Sequence, residues 1–298
     1  MCAAPIAPTL RDLVTEAVKK AGYSNPSESL LQRAEDNWME ETKNEIWRKS
    51  KKLKSLYTSS VAICTENQGR YPFPSDFASD LSVTLMHGTN RGTTQSGTST
   101  DITLASGEDI TSELILGKEI LIYSGNAKSY ISQCTAYNTT TKVATVNPSW
   151  TIFPDSTSLY MVVDIYYPLK QNPIWNTDRN NYQTTRGTPL EYYPIGDSDT
   201  GEFILYPVPH HISDVPFGMK LRYYANLLRL DLESTLLSTL YREWRSEFVQ
   251  GVFIRALQNL DDNRYKEEKL IYMNMINMLV ATETYGLDLH NLQATVET

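Results

Sequence analysis

Between Val61 and about Leu230 the chain holds no sustained helical period. Short apolar runs alternate instead with Gly, Pro, Asn and Ser turn chemistry, the pattern of strands joined by turns. Gly117–Gly125, Tyr130–Tyr137, Lys142–Val146 and Ser158–Val163 predict successive strands, with a turn at Asn138-Thr139-Thr140-Thr141. Leu81–Met86 predicts a strand before them, and Gly201–Pro207 and Met219–Ala225 two after them. Ile120-Leu121-Ile122-Tyr123 is apolar on both alternating faces, which suits a small barrel whose strands are covered on both sides. Residues 88–100, GTNRGTTQSGTST, read as a mobile linker, and residues 170–201 as polar and turn-rich.

Helical signals flank this region. Thr9 can cap a helix from Leu10 to about Ala21 that Gly22 ends. Asn25-Pro26-Ser27-Glu28 opens a long helix running to about Leu56. Arg48, Lys49, Lys51, Lys52 and Lys54 crowd its last turns. They suit either contact with nucleic acid or an acidic partner, or a solvated face favoured by the helix dipole. Helical period returns near Leu232, where Leu236, Leu240, Trp244, Phe248, Val252, Ala256 and Leu260 form a wide apolar stripe. A last helix is expected from about Tyr265 to Thr284, ended by Gly286. The expected class is therefore α+β: a helical bundle of N- and C-terminal helices with an inserted, β-rich, barrel-like lobe. Residues 1–60 and 232–285 would form the bundle and 61–231 the β region, with a small β module at about 101–165. Residues 1–8 would be a flexible arm and 286–298 a tail.

The charge balance narrows the partners. Residues 1–60 carry 10 basic and 8 acidic side chains, residues 61–231 carry 11 and 17, and residues 232–298 carry 6 and 10. An acidic middle and C-terminal part argue against a sequence-reading nucleic-acid binder, which needs a clustered basic face. Cys2, Cys64 and Cys134 have no paired spacing, so reduced thiols are expected in a chain made in cytosol. No apolar run approaches a membrane span, and MCAAPIAPTL lacks the form of a secretion signal.

Residue patterns for catalysis are missing. His87, His210, His211 and His290 show no HxH, HExxH or HxxxH spacing, so no metal is expected. GxSxG, P-loop and GxGxxG motifs do not occur. Ser75-Asp76 with Asp80 can be drawn as a carboxylate pair, but glycosidase chemistry needs such a pair at a set separation in a cleft. Tyr166-Tyr167, Tyr192-Tyr193 and Tyr223-Tyr224 suit a sugar platform or, more simply, one core-facing and one interface- or solvent-facing ring each. Neither catalytic residues nor a cofactor is expected. The 19 tyrosines point to assembly instead, since Tyr and Trp enrich protein–protein interfaces.

Three stretches resemble phage head-to-tail adaptor proteins, the group that includes tail tubular A-like proteins of short-tailed phages. GRYPFPSDFASDLSVTLM, after the long early helix, is similar to a "y-x-LP-x-D-F" lead-in. ILGKEILIYSG with CTAYNTTTKVATVNPSWTIFPDSTSLYMVV resembles a β module recurrent in phage virion proteins, and is the most specific stretch. Asn126-Ala127-Lys128-Ser129 departs from that module's usual short polar run. GTPLEYYPIG, GEFILYPVP and KLRYYANLLRLDLEST resemble the late β segment that feeds the C-terminal helices. The resemblance implies a structural virion protein at the head–tail junction, assembled in the host cytoplasm. It implies a homo-oligomeric ring, usually of twelve copies, between the portal protein and tail or nozzle proteins. DNA would pass through its channel without sequence-specific binding, and an acidic lumen would keep that DNA mobile. It also implies a C-terminal portal-docking tail, here Leu287, Leu289, Leu292 and Val296. The alternatives are another virion component (tail tube, baseplate or fibre attachment) and a cell-wall or carbohydrate-degrading enzyme.

Overall fold

The computed structural model describes residues 9–49, 52–172, 185–196, 200–210, 216–227 and 243–285. Strands in four sheets dominate them. This corrects the expected class: the chain is β-rich, and its terminal helices do not frame a bundle around an inserted lobe. Two compact units divide the chain, residues 1–57, 76–79 and 224–298 in one and residues 58–75 and 80–223 in the other.

The first unit holds helices α1 (Leu10–Lys20), α2 (Glu28–Arg33), α3 (Glu40–Lys49), α5 (Arg245–Asn259) and α6 (Tyr265–Tyr285). Thr9 caps α1 in a reciprocal box with Asp12: each backbone N–H is met by the other's side chain. The one long helix expected from Asn25 to Leu56 is instead interrupted. Residues Ala34–Met39 widen into a π-helical segment between α2 and α3, a bulge that an apolar period cannot report. Leu53 and Leu56 still reach the core, through a 3₁₀ turn at Lys54–Leu56. Trp244, Phe248, Phe253 and Tyr272 are buried in that core with Leu13, Met39 and Ile46. Burial of such a ring stabilises by roughly 1.5–3 kcal/mol.

The second unit is built on a seven-stranded sheet in the order β4-β10-β7-β8-β9-β6-β5. Its strands are β4 (Asn90–Thr93), β5 (Ser96–Gly97), β6 (Asp101–Thr103), β7 (Glu119–Ser124), β8 (Ile131–Asn138), β9 (Val143–Asn147) and β10 (Leu159–Val163). The short helix α4 (Ser112–Ile115) leads into β7. β4 and β5 stand at opposite ends of the order, yet only Thr94 and Gln95 separate them. Thr94 N–H donates to Ser158 O at 2.9 Å, beside β10, and Gln95 N–H donates to Thr103 O at 2.9 Å, on β6. Two consecutive residues therefore join the two edges, and the sheet closes on itself as a barrel. Ile120, Ile122, Tyr160 and Val162 fill the inside. Leu121, Met161 and Val163, one residue out of phase, join Met86 in a second cluster outside it. That alternation is why these strands read as apolar on both faces.

The segment 88–100 is thus no linker. Its composition answers to close approach: a Cβ on Gly88 would lie 2.0 Å from Val162 O, and one on Gly92 would lie 2.9 Å from Ala105 Cβ. Glycine here makes room for neighbouring strands.

Two four-stranded sheets complete this part of the chain. One runs β1 (Tyr57–Ile63), β17 (Gly218–Ala225), β3 (Phe77–His87), β11 (Ile165–Pro168). The other runs β12 (Lys170–Gln171), β14 (Glu191–Ile195), β15 (Glu202–Tyr206), β2 (Arg70–Pro72). A small pair joins β13 (Arg186–Gly187) to β16 (Val208–Pro209). β14 lies inside the stretch expected to be turn-rich. Tyr192 and Tyr193 are both buried there, against the expectation of one inward and one outward ring. The Tyr192 hydroxyl donates to Leu81 O, and burial pushes it up to about 12. Tyr166 and Tyr167, by contrast, are both exposed.

Gly88→Ala should cost about 3 kcal/mol, because the new methyl meets backbone that cannot yield. Gly117→Ala, at φ 78° with nothing within 4 Å, should cost only about 1 kcal/mol of backbone strain. Urea denaturation of both variants checks this.

Candidate assembly surfaces

One surface lies at a rim of the barrel. Between Pro148 and Pro154 the chain places Ile152 and Phe153 side by side, 47% and 49% exposed. The loop that holds them is fixed from several sides. Asn126 Nδ2 donates to Phe153 O at 2.8 Å, and Ser158 Oγ donates to Asn126 O at 2.7 Å. The Tyr130 and Thr151 hydroxyls meet at 2.7 Å, and Ser132 Oγ donates to Pro148 O at 2.7 Å. Asp155 closes the far side: its carboxylate accepts from the Thr157 hydroxyl at 2.6 Å and from Thr157 N–H at 2.9 Å, which lowers its pKa. The segment Asn126-Ala127-Lys128-Ser129 thereby clamps this tip through Asn126. Ala127 and Ser129 take left-handed backbone to do so, with φ 58° and 72°.

The second surface is the outer face of α6. Tyr272 and Ile276 turn into the helical core. Leu270, Ile271 and Met278 lie on the other side, 66%, 50% and 51% exposed, with Asn274 between them. The spacing 270, 271, 274, 278 is one helical face. From Leu270 to Ala281, Asn274 and Asn277 alone interrupt the apolar residues of α6, a pattern that ordinarily belongs to a covered helix.

Beneath α6 the unit is locked by Arg255. This guanidinium is buried, donates from Nε to Glu41 at 2.7 Å and stands 2.9 Å from Glu45. Its Nη1 donates to Thr42 Oγ1 at 3.0 Å and to Gly251 O at 2.8 Å. Burial pulls the Arg255 pKa down, Glu41 and Glu45 push it up, and the balance leaves it raised. Gly251 permits the approach, since a Cβ there would lie 2.4 Å from Thr42 Cγ2. Gln250 links α5 outward, accepting from Lys20 Nζ at 2.9 Å and donating to Glu268 at 2.7 Å. A shallow groove of about 450 Å³ opens here, lined by Glu16, Lys20, Arg245, Gln250 and Met275 among others.

The residues singled out from the sequence fall as follows. Leu287, Leu289, Leu292 and Val296 lie outside the described residues, as do Cys2, Lys51, His211, His290, Leu236 and Leu240. Arg48 and Lys49 end α3 exposed, and Lys52 and Lys54 are exposed too. Asp76 and Asp80 belong to different compact units. His87 packs on Phe217 with ring centroids 5.4 Å apart, and His210 Nδ1 sits 3.0 Å from Glu66. Cys64 and Cys134 are buried and free. Among the described residues no three His, Cys, Asp or Glu side chains converge as a metal site, and no helix is long and apolar enough to cross a membrane. The tip was missed in the sequence, where Pro148-Ser149-Trp150 reads only as a break. The adjacent apolar pair Ile152-Phe153 just before Pro154 was the available signal. No family model matches the chain, and no curated protein matches it.

Arg255→Met should cost about 2 kcal/mol, because Glu41 and Glu45 lose their shared cation while keeping some solvent. Gly251→Ala should cost about 1–3 kcal/mol through overpacking on Thr42. Urea midpoints of the two single variants and the double variant, which should fall short of additivity, check the coupling.

Proposed function

We propose that the chain is a structural protein of a phage virion, an adaptor that assembles as a ring between portal and tail. The observation that carries this reading is the pairing of two uncovered apolar surfaces on one chain: the clamped Ile152–Phe153 tip and the open face of α6. Patches of this kind on a folded chain mark sites of association. The reading also draws on the sequence resemblance, whose most specific stretch, residues 115–163, lies almost wholly within the barrel and the tip it carries. Portal and tail or nozzle proteins are the proposed neighbours, with the 286–298 tail, through Leu287, Leu289, Leu292 and Val296, as the portal-docking element. DNA would pass through the ring, and the acidic balance of the chain suits a lumen that does not grip it. The virion junction is the proposed location, and no catalytic step is assigned.

Mixing the purified chain with its portal protein should give closed rings stacked on portal in negative-stain images. Removing residues 286–298 should weaken that stacking without lowering the thermal midpoint of the chain. A chain that stays monomeric and leaves portal bare would overturn the reading.

A further inference from the structure

A chain of net charge −8 carries a run of cations at Arg48, Lys49, Lys51, Lys52 and Lys54. We infer that this cluster binds the phosphate backbone of duplex DNA without reading its sequence. The inference rests on the reading of the chain as a ring around DNA, and it names where each copy touches that DNA.

Three observations carry it. First, the acids of α3 are committed to other cations. Glu40 pairs with buried Lys43 at 2.6 Å, and Glu41 and Glu45 stand 2.7 and 2.9 Å from buried Arg255. Arg48 and Lys49 are exposed in the last turn of α3, and neither forms an ion pair among the described residues. Beside Lys54, Glu243 and Glu283 both accept from Ser55 Oγ, at 3.3 and 2.7 Å. Their charge offsets that of Lys54, so Arg48, Lys49 and Lys52 carry the site. Second, the helix dipole does not account for the cluster. Its effect fades within the last turn of a helix. Lys52 and Lys54 come after that turn and are exposed as well, while Leu53 and Leu56 bury themselves and hold the segment at the surface. Third, the residue types favour a mobile polyanion over an acidic protein. All but Arg48 are lysines, and protein–protein interfaces are depleted in Lys and enriched in Arg. An ammonium is a point charge with no planar fork to align, so it can pass from one phosphate to the next. The acidic balance of the rest of the chain keeps such a hold weak.

Fluorescence anisotropy of the full chain with a labelled DNA duplex of arbitrary sequence decides the matter. Affinity should fall about 40-fold between roughly 50 and 200 mM salt, the slope of three phosphate contacts. The variant Arg48→Gln/Lys49→Gln/Lys52→Gln should bind at least about tenfold more weakly at the lower salt and lose most of that salt dependence. All three positions are exposed and Gln is a good helix former, so the thermal midpoint should hold. The double variant Arg48→Gln/Lys49→Gln should lie between the two. A charge-matched control, Lys19→Gln/Lys128→Gln/Lys266→Gln, removes exposed lysines elsewhere and should bind like the parent. The inference is overturned by three results: a parent chain that leaves DNA free, an equal loss in the control, or unchanged DNA affinity in the cluster variant with weakened stacking on portal. The last result would assign the cluster to an acidic protein surface. In each case rings formed by the parent with portal would leave the ring reading standing. If the parent forms no ring, the ring reading fails, and the anisotropy of the variants still decides the phosphate contact.

Discussion

The closure of the seven-stranded sheet is the constraint on which the second unit depends. Thr94 and Gln95 send successive backbone N–H groups to Ser158 and Thr103, which lie at opposite ends of the strand order. A sheet joined in this way has no free edges to pair with other chains. It must also be filled from within, which explains the inward Ile120, Ile122, Tyr160 and Val162. The loop from Pro148 to Ser158 joins two strands of this closed wall, so its shape is set by the barrel. Its exposed tip is held in place by hydrogen bonds from Asn126, Tyr130 and Ser132.

The helical unit reaches a similar end by other means. A buried arginine binds two helices through two glutamates, a threonine and a carbonyl. A missing side chain at Gly251 lets them approach. Such a network fixes one geometry more than it adds stability, because desolvation of the charges offsets much of their attraction. The result is a firm bed for α6, whose inner face is held by Tyr272 and Ile276 and whose outer face keeps its apolar side chains in water.

Much of the strand pattern could be read from the residues. β7, β8, β9 and β10 lie where alternation and turn chemistry place them, because covered faces leave long apolar runs. α1 begins at the cap that Thr9 announces. The misreadings share a cause. Gly88 and Gly92 look like linker glycines, yet they answer to contacts with Val162 and Ala105 that are distant in sequence. β14 was hidden among polar neighbours, and its tyrosines are buried by β3 and β15, which no local window contains. The bundle expectation failed because helical period marks where helices begin, while the share of the chain in sheets is set by pairings between remote strands. The open face of α6 was illegible for a related reason: a stretch as apolar as Leu270–Ala281 gives little phase that tells which side is covered.

Central to this account is the claim that the hydrogen-bonded apolar tip and the outer face of α6 are assembly surfaces. Hydroxyl-radical footprinting reads the solvent access of individual side chains, and Phe153, Leu270 and Met278 are all reactive types. Labelling of the free chain should be strong at all three and should fall several-fold in the portal-bound ring, while exposed Leu190 elsewhere keeps its labelling. Equal labelling of Phe153, Leu270 and Met278 in the free and assembled states would contradict the account.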